Sequence, residues 1–212
     1  MAKRIGVALT LEQARSLICA CREPVVHRIQ DRRRKQGEQA WPPPPHLFLA
    51  VLVALHTGLR RGNTTRLRLS QLDLGQRKIN IAAEEMKANA DFVIPVHPEL
   101  AEALTESLRG RGKLGPDELV LGREVKEITK SFKSALKRAG LPPIRWHDLR
   151  HTASTWWSER APQAVKDALM GHAPVGVSGR YTHIPFETMK RVVDCIPRLL
   201  TAEPVPAQAS AP

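Results

Sequence analysis

The stretch His46-Leu47-Phe48-Leu49-Ala50-Val51-Leu52-Val53-Ala54-Leu55-His56-Thr57-Gly58-Leu59 is apolar at nearly every position. A surface helix repeats its apolar residues every three or four positions and leaves a polar face to water. Here there is no such face, so the segment reads as a central helix surrounded by other elements, with Gly58 as its stop signal. Its longest apolar run, Leu47 to Leu55, falls far short of the ~20 residues that cross a bilayer. The surroundings are therefore protein, and no membrane partner is expected.

Working outward, Thr10-Leu11-Glu12-Gln13 is a capping-box pattern followed by Ala14, Leu17, Ile18 and Cys21 at helical spacing. Between that helix and the central one lies a basic insertion, about 22–45, carrying Arg28, Arg32, Arg33, Arg34 and Lys35 and ending in the stiff run Pro42 to Pro45. It reads either as a solvated face or as a phosphate-contacting one. After the central helix a short helix covers Arg61 to Leu69. The period then changes to two: Leu72-Asp73-Leu74, Ile79-Asn80-Ile81 and Phe92-Val93-Ile94-Pro95-Val96 read as three short strands. Helices follow over Pro98 to Leu108, Ile128 to Ala139, His147 to Glu159, Gln163 to Met170 and Glu187 to Cys195. The expected architecture is mainly α with a small three-stranded antiparallel β-sheet, in one domain over 1–201, and 202–212 is expected to be a disordered tail.

The 212 residues carry 33 Lys and Arg against 21 Asp and Glu, a net charge of +12. Such an excess calls for an anionic partner, with nucleic acid the first expectation. Cys19, Cys21 and Cys195 are an odd set without Cys-x-x-Cys spacing, which argues against a disulfide scaffold and places the chain in a reducing cytoplasm.

Four polar clusters sit at the ends of these elements: Arg60-Arg61, Lys87, the run from Trp146 to His151, and Gly171-His172 with Tyr181. Each alone has a bland explanation. An arginine can offset a helix dipole, a hairpin lysine is usually a solvated edge residue, and a histidine can cap a helix. Their order is more specific. Ala54-Leu55-His56-Thr57-Gly58-Leu59-Arg60-Arg61-Gly62-Asn63 closely resembles the first arginine box of the tyrosine recombinases, or phage integrases. Trp146-His147-Asp148-Leu149-Arg150-His151-Thr152 resembles that family's histidine-x-x-arginine box. Leu169-Met170-Gly171-His172 with Arg180-Tyr181-Thr182-His183 resembles its histidine and nucleophile boxes.

The resemblance covers roughly 9–200 and implies the fold of the family's catalytic domain. It also implies that Arg60, Lys87, His147, Arg150 and His172 surround a scissile phosphate and that Tyr181, the sole tyrosine, attacks it. The chemistry asks for these residue types. Attack on a phosphodiester builds negative charge on the non-bridging oxygens, which guanidiniums clamp in forked geometry. A phenol, with its usual pKa near 10, needs a base, for which His147 is the candidate. The resemblance implies Lys87 as the proton donor to the leaving oxygen, with Lys78 as its competitor on the preceding strand. His172 would donate to a phosphate oxygen. No cofactor is called for, because the phosphotyrosyl bond conserves the energy of the broken linkage.

The resemblance further implies double-stranded DNA as partner, a homotetramer on paired sites, accessory DNA-bending proteins, and association with the nucleoid when bound. The sequence departs from the family pattern at Asn63, where many members carry an acid; with only about nine residues before the first helix, the amino-terminal core-binding domain is expected to be absent, the chain being either an excised catalytic domain or a naturally short member. The expected function is site-specific DNA recombination or integration through a 3′-phosphotyrosyl intermediate. Alternatives are a catalytically silent DNA-binding remnant, a type IB topoisomerase-like enzyme, and a metalloenzyme using His147 and His151. The segment Met189 to Leu200 could dock on a neighbouring protomer or on its own domain.

Overall fold

A computed structural model describes residues 6–29, 37–86, 90–122, 125, 128–172 and 184–200. Helix α1 (Leu11–Arg22) starts at the capping box: the Thr10 hydroxyl accepts from the Gln13 amide while the Gln13 side chain accepts from that of Thr10. Its inward face is Ala14, Leu17, Ile18 and Cys21. Burial pushes the Cys21 thiol up to about 12, so it packs rather than reacts. The basic insertion is bounded by a pair of antiparallel strands, β1 (Val25–Ile29) and β2 (Gly37–Trp41), in register from Val25 opposite Trp41 to Ile29 opposite Gly37. The arginines between them lie outside the described residues.

Helix α2 (Pro45–Thr57) is the axis of the domain. Leu47 and Leu49 to Leu55 are all buried, as the apolar run requires, and α2 packs against α1 and against α4 (Pro98–Arg109), α5 (Ile128–Arg138) and α6 (Trp146–Ser158). Helix α3 (Arg61–Thr65) is shorter than its sequence promised. The chain leaves it to pair edgewise with the loop after α4: Val120 donates its amide to Leu67 O and Leu69 its own to Glu118 O. The strands β3 (Leu72–Asp73), β4 (Lys78–Ile81) and β5 (Phe92–Pro95) form the expected antiparallel sheet in that spatial order. Ile79, Ile81, Phe92 and Ile94 face the core.

Trp156 and Trp157 are core residues, as expected, and the Trp156 indole donates to Leu9 O. The turn through Pro162 joins α6 to α7 (Gln163–Leu169). Within the single chain, helix α8 (Phe186–Asp194) and the segment after it pack on the domain through Met189, Val193, Ile196 and Leu199. Asp194 forms a two-pronged ion pair with Arg77 at the β3–β4 turn, at 2.6 and 2.8 Å. Leu199 and Leu200 donate their amides to the two oxygens of buried Glu99, each at 2.8 Å, and Arg15 holds Arg198 O at 2.8 Å. The expected tail, 202–212, lies outside the described residues. Among those described, no helix is long and apolar enough to cross a membrane.

Candidate active site

Three chain reversals bring the candidate side chains to one place. At the first, Thr57 donates its hydroxyl to Val53 O at 2.6 Å and accepts from the Leu59 amide at 3.3 Å, closing the end of α2. Gly58 follows in the left-handed region, with φ of 59°. A Cβ there would meet the Trp157 ring at 3.0 Å, so both conformation and space require glycine. The chain then delivers Arg60, half-buried, as the residue that opens α3.

The second reversal opens α6. Asp148 accepts from the Arg145 amide at 2.7 Å and from its guanidinium at 2.9 Å, which caps the helix and sets the register of its first turn. That register leaves His147 exposed and sends Arg150 inward, only 5% exposed. The third reversal ends α7. Gly171, with φ of 59°, fits against Met86 and Phe92, where a Cβ would stand 2.9 and 3.1 Å from their side chains, and His172 follows at the surface.

Arg150 ties these reversals together. One guanidinium nitrogen donates to Gly58 O at 2.6 Å; the other donates to Met170 O at 2.7 Å and lies 3.4 Å from His172 Nε2. Its pKa falls to about 10, chiefly through burial and secondarily through Arg60, which places a second guanidinium within electrostatic reach and leaves Arg150 charged at neutral pH. The His147 pKa is lowered by partial burial first and then by Arg150 and Arg145; Asp148 opposes them, and Arg60 adds the smallest lowering effect. The neutral ring keeps a lone pair with which to accept a proton, while the surrounding cations make it a weaker base than a free imidazole. On its far side His172 Nδ1 lies 3.4 Å from Asp167 Oδ1.

Arg150 and His172 therefore stand side by side, with Arg60 and His147 within electrostatic reach of Arg150, whereas Lys87 and Tyr181 lie outside the described residues. Lys78, the rival lysine, is turned toward Asp73 at 3.5 Å. Asn63 donates its amide to Glu85 O at 3.2 Å, a contact that neither partner announces in sequence. Asp167 was equally invisible there, since an acid on a short amphipathic helix reads as solvated.

A metal has two conceivable seats. His147 and His151 gain no third His, Cys, Asp or Glu ligand among the described residues. His56, His97 and Glu99 do bring ligand atoms within 4.8 Å of one another. Their geometry is wrong for a shared ion, because the two imidazoles stack in parallel, 4.5 Å apart and 8° from coplanar, while their lone pairs lie in the ring planes. The atoms are also already engaged: His97 accepts from the Glu99 amide and faces Ile196 O at 3.0 Å, and His56 lies 3.1 Å from the Glu99 carboxylate.

The helical domain with its small antiparallel sheet thus gathers two arginines and two histidines in one strongly positive region. The chain belongs to the phage integrase family, whose model matches residues 9–188. It is 27% identical to the integrase of Salmonella phage P22 over 147 residues, covering 63% of this chain and 38% of that protein. It is 30% identical to tyrosine recombinase XerC of Pseudomonas syringae pv. syringae (strain B728a) over 159 residues, 70% of this chain and 52% of that one. The chain thus spans about half or less of the length of these relatives. In fold it is similar to the integrase of mycobacterium phage Brujita, with a TM-score of 0.62 at 20% identity over 92% of this chain and 59% of that one. It is also similar to the lambda integrase catalytic core, with a TM-score of 0.55 at 18% identity, covering 78% and 94% of the two chains.

Proposed function

We propose that this chain is the catalytic part of a site-specific DNA recombinase or integrase that cuts and rejoins double-stranded DNA through a 3′-phosphotyrosyl intermediate. The observation that carries this reading is the convergence of Arg60, His147, Arg150 and His172 around the grip on Arg150. A phosphodiester placed there meets two guanidiniums whose charge is fixed in advance, the arrangement that stabilises a five-coordinate phosphorus most effectively. In this reading Tyr181 Oη attacks phosphorus and His147 receives its proton. The bond to the 5′ oxygen breaks, and that oxygen takes a proton from Lys87. Reversal with a second 5′ hydroxyl reseals the strand and frees the tyrosine, so the reaction needs neither nucleotide nor metal.

The same reading takes residues 1–201 as one catalytic domain, and a homotetramer on paired sites, helped by DNA-bending proteins, as the working assembly at the nucleoid. The titration of phosphates by the +12 chain would make binding strongly dependent on salt. A nicked suicide duplex built from the sequence flanking the gene tests the chemistry without added metal or nucleotide. The native protein is expected to form a covalent adduct on a denaturing gel, and Tyr181→Phe none. DNA binding with no adduct from the native protein would favour a silent binding fragment instead.

A further inference from the structure

We infer that Asn63 is a positioning residue for the proton donor: by holding the main chain at Glu85 it fixes the point from which the chain delivers Lys87, two residues on. The inference rests on reading Lys87 as the acid of the proposed cleavage. Asn63 lies on α3, three residues after Arg60, and its side-chain amide donates to Glu85 O at 3.2 Å. A carbonyl oxygen can only accept, so the contact calls for the NH2 of an amide at position 63. An aspartate has the same shape, but when ionised it has no hydrogen to give and sets an anionic oxygen against the carbonyl.

Glu85 closes a single tight turn, Ala83–Glu85, between β4 and β5, and that turn is fastened from several sides. The Gln71 side-chain amide donates to the Glu85 carboxylate, and the same side chain accepts from the Arg68 amide at 2.8 Å. Asp91, just ahead of β5, accepts from the Ala83 amide at 3.0 Å, so the two roots of the connection are tied to each other. Met86 is buried where Gly171 leaves room for it, beside the reversal that presents His172.

Among these fastenings, the one from Asn63 comes from the helix that Arg60 opens. The Thr64 amide donates to Arg60 O at 2.9 Å, so Arg60 and Asn63 belong to one helical turn. The phosphate clamp and the root of the acid-bearing connection are thereby referred to the same few residues. Proton transfer to a departing oxygen works only within hydrogen-bond reach, and a misplacement of about 1 Å is enough to slow it. Loosening the Glu85 root therefore weakens the acid while the guanidinium grip stays in place. Asn63 acts on the leaving oxygen only through Lys87.

The test is single-turnover adduct formation by the full chain on two suicide duplexes, one natural and one with sulfur in place of the 5′ bridging oxygen at the bond the natural duplex shows to be cleaved. On the second, Tyr181 Oη still bonds to phosphorus, but the electron pair of the broken P–S bond leaves on a thiolate that needs no proton. On the natural duplex Asn63→Ala and Asn63→Asp are expected to lower the rate about three- to ten-fold. Asn63→Ala combined with Lys87→Ala should be no slower there than Lys87→Ala alone. On the sulfur duplex Asn63→Ala and Lys87→Ala should each match the native protein. A merely structural Asn63 would slow both duplexes alike and add its loss to that of Lys87→Ala. Either result overturns the inference, as does an Asn63→Asp protein as fast as the native one; rescue of Lys87→Ala by sulfur then leaves the proposed cleavage standing. If the native protein forms no Tyr181-dependent adduct on either duplex, the proposed cleavage falls and the inference with it.

Discussion

Arg150 holds two chain reversals with one guanidinium, because the hydrogens donated to Gly58 O and Met170 O fix the orientation of its plane beside His172. A lysine keeps the charge but cannot span both carbonyls with a fixed fork. Arg150→Lys is therefore expected to lower adduct formation nearly as far as Arg150→Ala, by about 10²–10³, measured by single-turnover cleavage of the suicide duplex. His147 has a distinct signature in pH. Its pKa is lowered from 6.5, so its basic form persists as the solution is acidified and is lost only below that value. The rate should hold level down through pH 6.5, with its acid inflection lying lower, and His147→Gln should abolish that inflection in the pH–rate profile. At this scale sequence picked out side chains that the fold brings near one another, Arg150 beside His172 with Arg60 and His147 within electrostatic reach of Arg150. It was silent on their supports, because main-chain carbonyls carry no side-chain identity and Asp167 has the look of any exposed acid.

Among the elements, α2 was plain in sequence because burial on every side leaves no polar position to disguise it. The hairpin of β1 and β2 was not. Its flanks, Val25 to Ile29 and Gly37 to Trp41, lack a sustained apolar alternation, and the charged residues between them dominate any reading by composition. Helix α3 was overestimated because Leu67 and Leu69 continue a helical spacing, yet their main chain is claimed by pairing with the loop at 118–120. The turn between α2 and α3 gives a prediction of its own. Gly58→Ala must place a Cβ in the left-handed region and against Trp157, so it should cost about 1–3 kcal/mol in urea unfolding. Because Gly58 O also holds Arg150, the folded fraction of that variant should cleave more slowly than the native protein.

Across the whole molecule, the carboxyl-terminal segment is held by a polar latch that sequence could not show, since Glu99 and the amides it binds are about 100 positions apart. Burial alone would raise the Glu99 pKa, but hydrogen bonding with His56, Leu199 and Leu200 outweighs it and brings it from 4.5 to about 2. Burial, with His56 secondary, lowers His97 from 6.5 to about 4. Both values are depressed on folding, so both groups contribute stability above their unfolded values and lose it as pH falls. The latch should weaken from pH 6.5 toward 4 as His97 charges, and from 4.5 toward 2 as Glu99 is neutralised. Hydrogen exchange at the Leu199 and Leu200 amides should accelerate over that range before α2 opens, and Glu99→Ala, which leaves the two amides and His56 without their acceptor, should remove about 3 kcal/mol. The grip on Arg150 has a consequence for biosynthesis. Its two carbonyls lie 92 positions before it and 20 after it. A nascent chain that has emerged only as far as α6 has the guanidinium and one of its holders but neither Met170 nor His172. The grip on Arg150 therefore stays half-made until translation has passed α7, and on the proposed reading strand cutting waits further still, for Tyr181.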